Sequence, residues 1–141
     1  MSKQIETDHD VELVASRFEK CETGKDDFRH PHHLAVAVWY LQTMGVPAAT
    51  NRMRTSLFRF LDHYQIDRRK YHETLTVFWM EMVSKCLASM VDGASLGEKC
   101  IRVQEILGDK DLVLEFYSPE VLWSDAARTC FIAPDKKFWT P

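Results

Sequence analysis

The sequence contains no apolar run longer than the eight residues 34–41. A helix that crosses a bilayer needs about 20, so no membrane span is expected. It carries no excess of positive charge either. Eighteen Lys and Arg stand against 21 Asp and Glu, a formal charge of −3 with the six histidines counted as neutral. Electrostatic binding to nucleic acid normally calls for a basic chain, so nucleic acid is not an expected partner. Glycine is scarce, at five residues, which speaks against an architecture of strands and tight turns. The four cysteines, Cys21, Cys86, Cys100 and Cys130, form no C-x-x-C pair and no zinc-ribbon spacing. The first ten residues are polar and acidic, without a signal-peptide core or a basic transit pattern. Reduced thiols in a cytoplasm are the resulting expectation, with all four cysteines as packing residues rather than nucleophiles. No phosphate-cradling glycine loop, dinucleotide fingerprint or nucleophile elbow is present.

What remains is a chain of 141 residues, 45% hydrophobic and 28% charged. That is the composition of one soluble domain. Apolar residues at three- and four-residue spacing predict a single all-α helical bundle of about five to seven helices. The expected spans are 10–20, 31–44, 47–64, 71–91 and 98–107, with a short helix over 111–117. Residues 1–9 read as a polar N-terminal segment. Pro31 and Pro47 suit first turns, and Gly45 stops the second helix. The run 34–41 is apolar all round, and its length and flanking Pro and Gly favour a buried helix over a buried strand. Leu75, Trp79, Met82, Val83 and Cys86, widened by Phe78, mark the inward face of the long helix. Arg52, Arg54 and Arg59 read as a solvated face, and Arg68-Arg69-Lys70 as a solvated basic loop, with anion binding near the start of the long helix as the alternative. Ser118-Pro119-Glu120 opens another helix, and Ser124-Asp125 offers a second cap. Residues 131–141 read as an extended tail that packs Phe138 and Trp139 onto the domain.

The histidines are unevenly placed. The second and third helices are separated by only Gly45 and Val46, so they should lie antiparallel. At 1.5 Å per residue, His33 then lies roughly 17 Å from the turn and His63 roughly 24 Å. The long helix begins at the same end with Tyr71-His72-Glu73. His30, His32, His33, His63, His72 and Glu73 are therefore expected at one end of the bundle. Phase carries His72 toward the core, through Leu75, Trp79 and Cys86. His32 is offset toward water, and His9 lies in the polar N-terminus.

Imidazoles and a carboxylate are the ligand set of zinc, iron, nickel or manganese, so His30, His33, His63, His72 and Glu73 are the candidate metal ligands. Without a metal, a histidine oriented by a carboxylate is an acid–base couple. His33, His72 and Glu73 are the candidate catalytic groups, and Tyr71, Thr76 and Trp79 the candidate ligand contacts. The spacing is neither H-E-x-x-H nor the Glu-x-x-His of di-iron bundles. Two functions follow. One is a small metal-dependent or acid–base enzyme acting on a small molecule. The other is a non-catalytic small-molecule-binding or protein-interaction module.

The stretch Phe28-Arg-His-Pro-His-His-Leu34, the stretch Tyr71-His-Glu-Thr-Leu-Thr76, and residues 118–128 carry a further signal. They resemble a family of small bacterial proteins of uncharacterised activity, with the patterns F-x-H-x-x-H-L, Y-H-E-T-[LI]-T and S-P-E-x-L-x-S-x-x-A-R. The resemblance spans residues 11–134. It implies that His30, His33, His72, Glu73 and Thr76 are motif positions, and that the S-P-E segment belongs to the same unit.

Overall fold

Thr7, Ser95, Ser118 and Ser124 each accept a hydrogen bond from a backbone N–H three residues on, and each opens a helix. The computed structural model describes residues 4–139. The helices are α1 (Asp8–Glu19), α2 (His30–Leu41), α3 (Val46–His63), α4 (Glu73–Ala88), α5 (Leu96–Leu107), α6 (Pro119–Leu122) and α7 (Asp125–Thr129). Short 3-10 helices occupy Arg68–Lys70 and Lys110–Glu115. No strand occurs among the described residues, so the architecture is the expected all-α bundle. No helix among them is long and apolar enough to cross a membrane.

α2 is the centre. It packs against α1, α3, α4 and α5, which is why residues 34–41 have almost no polar face. Leu34, Ala35, Val36, Ala37, Val38 and Tyr40 are all buried. Tyr40 meets Ser56 through its hydroxyl at 2.9 Å, while Phe28 meets Phe60 at 5.6 Å between ring centres. Those pairings are the register of an antiparallel hairpin. The Tyr40 hydroxyl also donates to Glu19, which receives Arg52 as well. Arg52 therefore ties α3 to α1 instead of standing free in solvent.

α4 lies between two apolar clusters. Thr74, Phe78, Met80, Val83 and Cys86 are its buried residues. Leu75, Trp79 and Met82, expected on the inward face, are half-buried. The second cluster joins Phe78 to Val113, Phe116, Tyr117 and Leu122. The tail closes over it. The Tyr117 hydroxyl donates to the Ile132 carbonyl, and the Trp139 ring lies 5.6 Å from Phe78. Trp139 packs as anticipated. Phe138 does not, being 58% exposed and in ring contact with Trp139 at 4.9 Å. Residues 140–141 of the expected tail lie outside the described residues.

The N-terminal arm is bound more firmly than its polarity suggests. Ile5 is buried, its carbonyl accepts from the Gln104 side chain at 2.8 Å, and α1 already starts at Asp8. Residues 1–3 of the expected segment lie outside the described residues. Gly97 permits this approach. Its N–H donates to the Asp8 carboxylate at 2.6 Å, and a Cβ there would sit 2.5 Å from the Glu6 carbonyl oxygen. Gly→Ala inside a helix normally stabilises by about 1 kcal/mol. Here the clash with backbone outweighs that gain, and Gly97→Ala is expected to destabilise by about 1–3 kcal/mol. Urea unfolding checks it, and a more stable Gly97→Ala protein would contradict the close approach.

The cysteines are free thiols: Cys86 and Cys100 are buried, Cys21 is partly exposed and Cys130 is exposed. Burial raises the Cys86 thiol above its ordinary range and pushes Cys100 up to about 11. Neither is a nucleophile at neutral pH.

Candidate functional site

A cavity of about 580 Å³ opens at the end of the bundle where α2 and α4 begin and α3 ends. Sites for small organic molecules have about 300–1,000 Å³. One wall is His30, His33, Leu34 and Ala37 of α2. A second is Met53, Leu57, Phe60 and Leu61 of α3, and a third is Tyr71, His72, Leu75, Thr76, Trp79 and Met80 at the start of α4. The remaining side comes from Lys110, Asp111, Val113 and Leu114 of the second 3-10 helix, with Trp123 beyond α6. The lining is mostly apolar. Six of the eight candidate residues thus share one cavity: His30, His33, Tyr71, His72, Thr76 and Trp79.

The three cavity histidines have different duties. His72 is the N-cap of α4, and its Nδ1 accepts the Leu75 N–H at 3.2 Å. That leaves the proton on Nε2, which donates to the Leu122 carbonyl at 2.7 Å. Both ring nitrogens are committed. Burial holds its pKa below the ordinary value, partly opposed by the bond to Leu122. Neutral His72 latches α6 onto α4, and its lone pair is not available to a metal or a substrate proton. His30 sits edge-on to Trp79 at 4.5 Å, and its Nε2 lies 2.8 Å from the Leu107 carbonyl, tying α2 to the end of α5.

His33 is different. Its ring lies 4.3 Å from Phe28, and burial, with repulsion from His30 and His32 in support, pushes its pKa down to about 4. It is therefore neutral at pH 7. Among the described residues no group hydrogen-bonds to either ring nitrogen. No fully buried side-chain nitrogen or oxygen among them lacks a partner, so these nitrogens open onto the cavity. His33 is a half-buried imidazole in the cavity wall whose ring nitrogens are accessible and have no protein partner.

Two of the expected ligands do not join the site. His63 is exposed, stacked edge-on against Tyr64, and borders a shallow surface hollow beside Cys21, Arg59 and Arg68. The reason is angular. Leu61 lines the cavity, and two residues further on is about 200° around a helix of 3.6 residues per turn. Glu73 lies at the right end but turns away to α3. Arg54 grips it with two hydrogen bonds of 2.9 and 2.6 Å, and the Tyr71 hydroxyl donates to it at 2.6 Å. The guanidinium beside it holds its carboxyl below the usual range. Burial, then the Glu73 carboxylate, raises Tyr71 above its ordinary value. Glu73 is thus the anchor that fixes Tyr71 in the cavity wall, and Arg54 belongs to that anchor rather than to a solvated face. The expected five-membered ligand set is not assembled. Among the described residues no three His, Cys, Asp or Glu side chains gather to hold a metal ion.

His32, expected to be offset toward water, caps α2: its Nδ1 accepts the Arg29 N–H at 3.1 Å. Sequence reasoning missed Phe28, Arg29, Lys110 and Asp111 as lining residues, and offered Lys70 only within a basic run that could bind an anion. Arg29 and Lys70 were neighbours of motif residues and were within reach of such reasoning. Lys110 and Asp111 carry no local signal.

No protein-family model, curated protein or solved structure matches this chain.

Proposed function

We propose that the protein binds a small, largely apolar molecule in this cavity and that neutral His33 meets it as hydrogen-bond partner. One observation carries this reading: a mostly apolar cavity of ligand size has in its wall an imidazole with no protein partner. The His33 ring nitrogens are not sealed from solvent, so a ligand in the cavity can pair with them without breaking a protein hydrogen bond. Membership of the resembling bacterial family is part of the proposal. Its support is that motif positions His30, His33, His72 and Thr76 line one cavity. The four free cysteines fit a reducing, cytoplasmic setting.

Acid–base catalysis is the second reading, and the same imidazole favours it. An imidazole near 4 is a weak base, but an anionic ligand group beside it raises its pKa toward neutrality, where proton transfer is efficient. A divalent zinc, iron, nickel or manganese would have the His30–His33 pair, one turn apart on α2. His30 would first have to release Leu107.

The test is a neutral apolar fluorophore, N-phenyl-1-naphthylamine. Saturable binding at one site per chain is expected. Leu57→Trp and Leu114→Trp fill the cavity from opposite walls, so misfolding of one leaves the other informative. Each is expected to weaken binding at least tenfold, about 1.4 kcal/mol, with unchanged circular dichroism. Unaltered affinity in both folded variants would sink the proposal.

A further inference from the structure

The charges around the cavity are not distributed at random. In the 3-10 helix Arg68–Lys70, Arg68 is paired with Asp62 at 2.6 Å and Arg69 with Asp67 at 2.7 Å. The third cation of that helix, Lys70, makes no close ion pair among the described residues, feeling Asp67 only at longer range behind the Arg69 bond, and it lines the cavity. Lys110 repeats the pattern from the facing 3-10 helix. The neighbouring carboxylate of Asp109 is spent on capping, accepting the Asp111 N–H at 2.9 Å. Arg29 completes the set, its guanidinium bonded to a backbone carbonyl, that of Asp26, at 3.2 Å. Three exposed cations thus ring the solvent edge of the cavity against one carboxylate, Asp111. This happens in a chain with net charge −3. Unpaired cations in a rim above low-dielectric walls focus the field on an incoming anion.

We infer that the ligand is an amphipathic organic carboxylate, seated with its apolar body among the cavity's side chains and its charge at Lys70 and Lys110. This rests on the small-molecule binding proposed above and names its chemical class. His33 then serves a neutral polar atom within the body.

The experiment is displacement of N-phenyl-1-naphthylamine by decanoate and by decan-1-ol, which share a chain and differ in charge. Decanoate is expected to displace the probe at about tenfold lower concentration, the size of two partly exposed ion pairs. Lys70→Gln/Lys110→Gln should erase that preference and leave the affinity for the neutral probe within twofold. Raising salt in the wild type should narrow the preference in the same way, without any substitution. Equal displacement by acid and alcohol overturns the inference while the probe still reports an occupied cavity. So does a preference that survives in the double variant and at high salt. A probe that fails to bind at all overturns the cavity reading, and this one with it.

Discussion

His72→Ala is expected to lower stability by about 3 kcal/mol. The figure has two parts. Loss of an N-cap removes about 1 kcal/mol. Leaving the buried Leu122 carbonyl without its donor removes about 1–3 kcal/mol more. The damage should be local first. The His72 latch is the polar bond between the start of α4 and α6, and Thr74 makes a second one to the Cys130 carbonyl at 3.0 Å. Hydrogen exchange in His72→Ala should therefore accelerate over 119–132 while α1 to α3 keep their protection. His72→Asn keeps a good capping side chain and should recover about 1 kcal/mol. Urea unfolding gives the totals. A His72→Ala protein as stable as the parent would show that the ring is not a latch, and would return it to the pool of candidate catalytic groups.

Acid should destabilise the protein before its carboxylates are protonated. In the unfolded chain an imidazole titrates near 6.5. In the folded protein burial pushes His33 down to about 4. The unfolded state therefore takes up the proton first, and stability falls as pH drops from about 6.5 to 4. Above that window the contribution of His33 is fully present, and below it no more is lost. The span corresponds to up to about 3 kcal/mol, reduced by whatever water enters the cavity. His32 and His72 are also held below their ordinary values by burial and push in the same direction. Glu73, whose carboxyl is lowered by Arg54, acts only at more acidic pH. His33→Gln removes one of these contributions, so its stability should fall less steeply than the parent's between about pH 6.5 and 5, with His32 and His72 supplying what slope remains. Urea midpoints at four pH values decide it. A His33→Gln slope equal to that of the parent would mean that His33 is protonated in the fold.

The helices were legible because their ends are written locally. Ser118 before Pro119, and Gly45 two residues before Pro47, are contiguous signals that need no knowledge of the rest of the chain. The buried nature of α2 followed from an eight-residue run without a polar face. The gathering of His30, His33, Tyr71 and His72 at one bundle end followed from hairpin geometry. Illegibility began where a side chain chose between neighbours. Glu73 has two possible directions, and Arg54, 19 residues earlier on another helix, decides it. His63 fails by azimuth, a quantity that helix length does not convey. His72 was rightly turned inward, but its second partner is a backbone carbonyl 50 residues away. No pattern in side-chain type can announce a carbonyl. The cationic rim was half legible: the basic run at 68–70 is contiguous, but nothing local shows that Arg68 and Arg69 are paired off or that Lys110 lines the same cavity.

The cavity is made by two separated stretches of chain. α2, α3 and the start of α4 supply three walls, and residues 110–123 supply the fourth. Between them runs the solvent-facing turn after α4, where Val91 is exposed and Gly93 has a φ of 91°. An occupant touches both stretches at once and acts as a reversible cross-link between them. Binding and closure are then thermodynamically linked. At a concentration 100 times its Kd, a ligand adds about 2.7 kcal/mol to the closed form, close to what the latch at His72 contributes. On the binding proposed above, resistance of the C-terminal third to proteolysis would rise with the concentration of ligand.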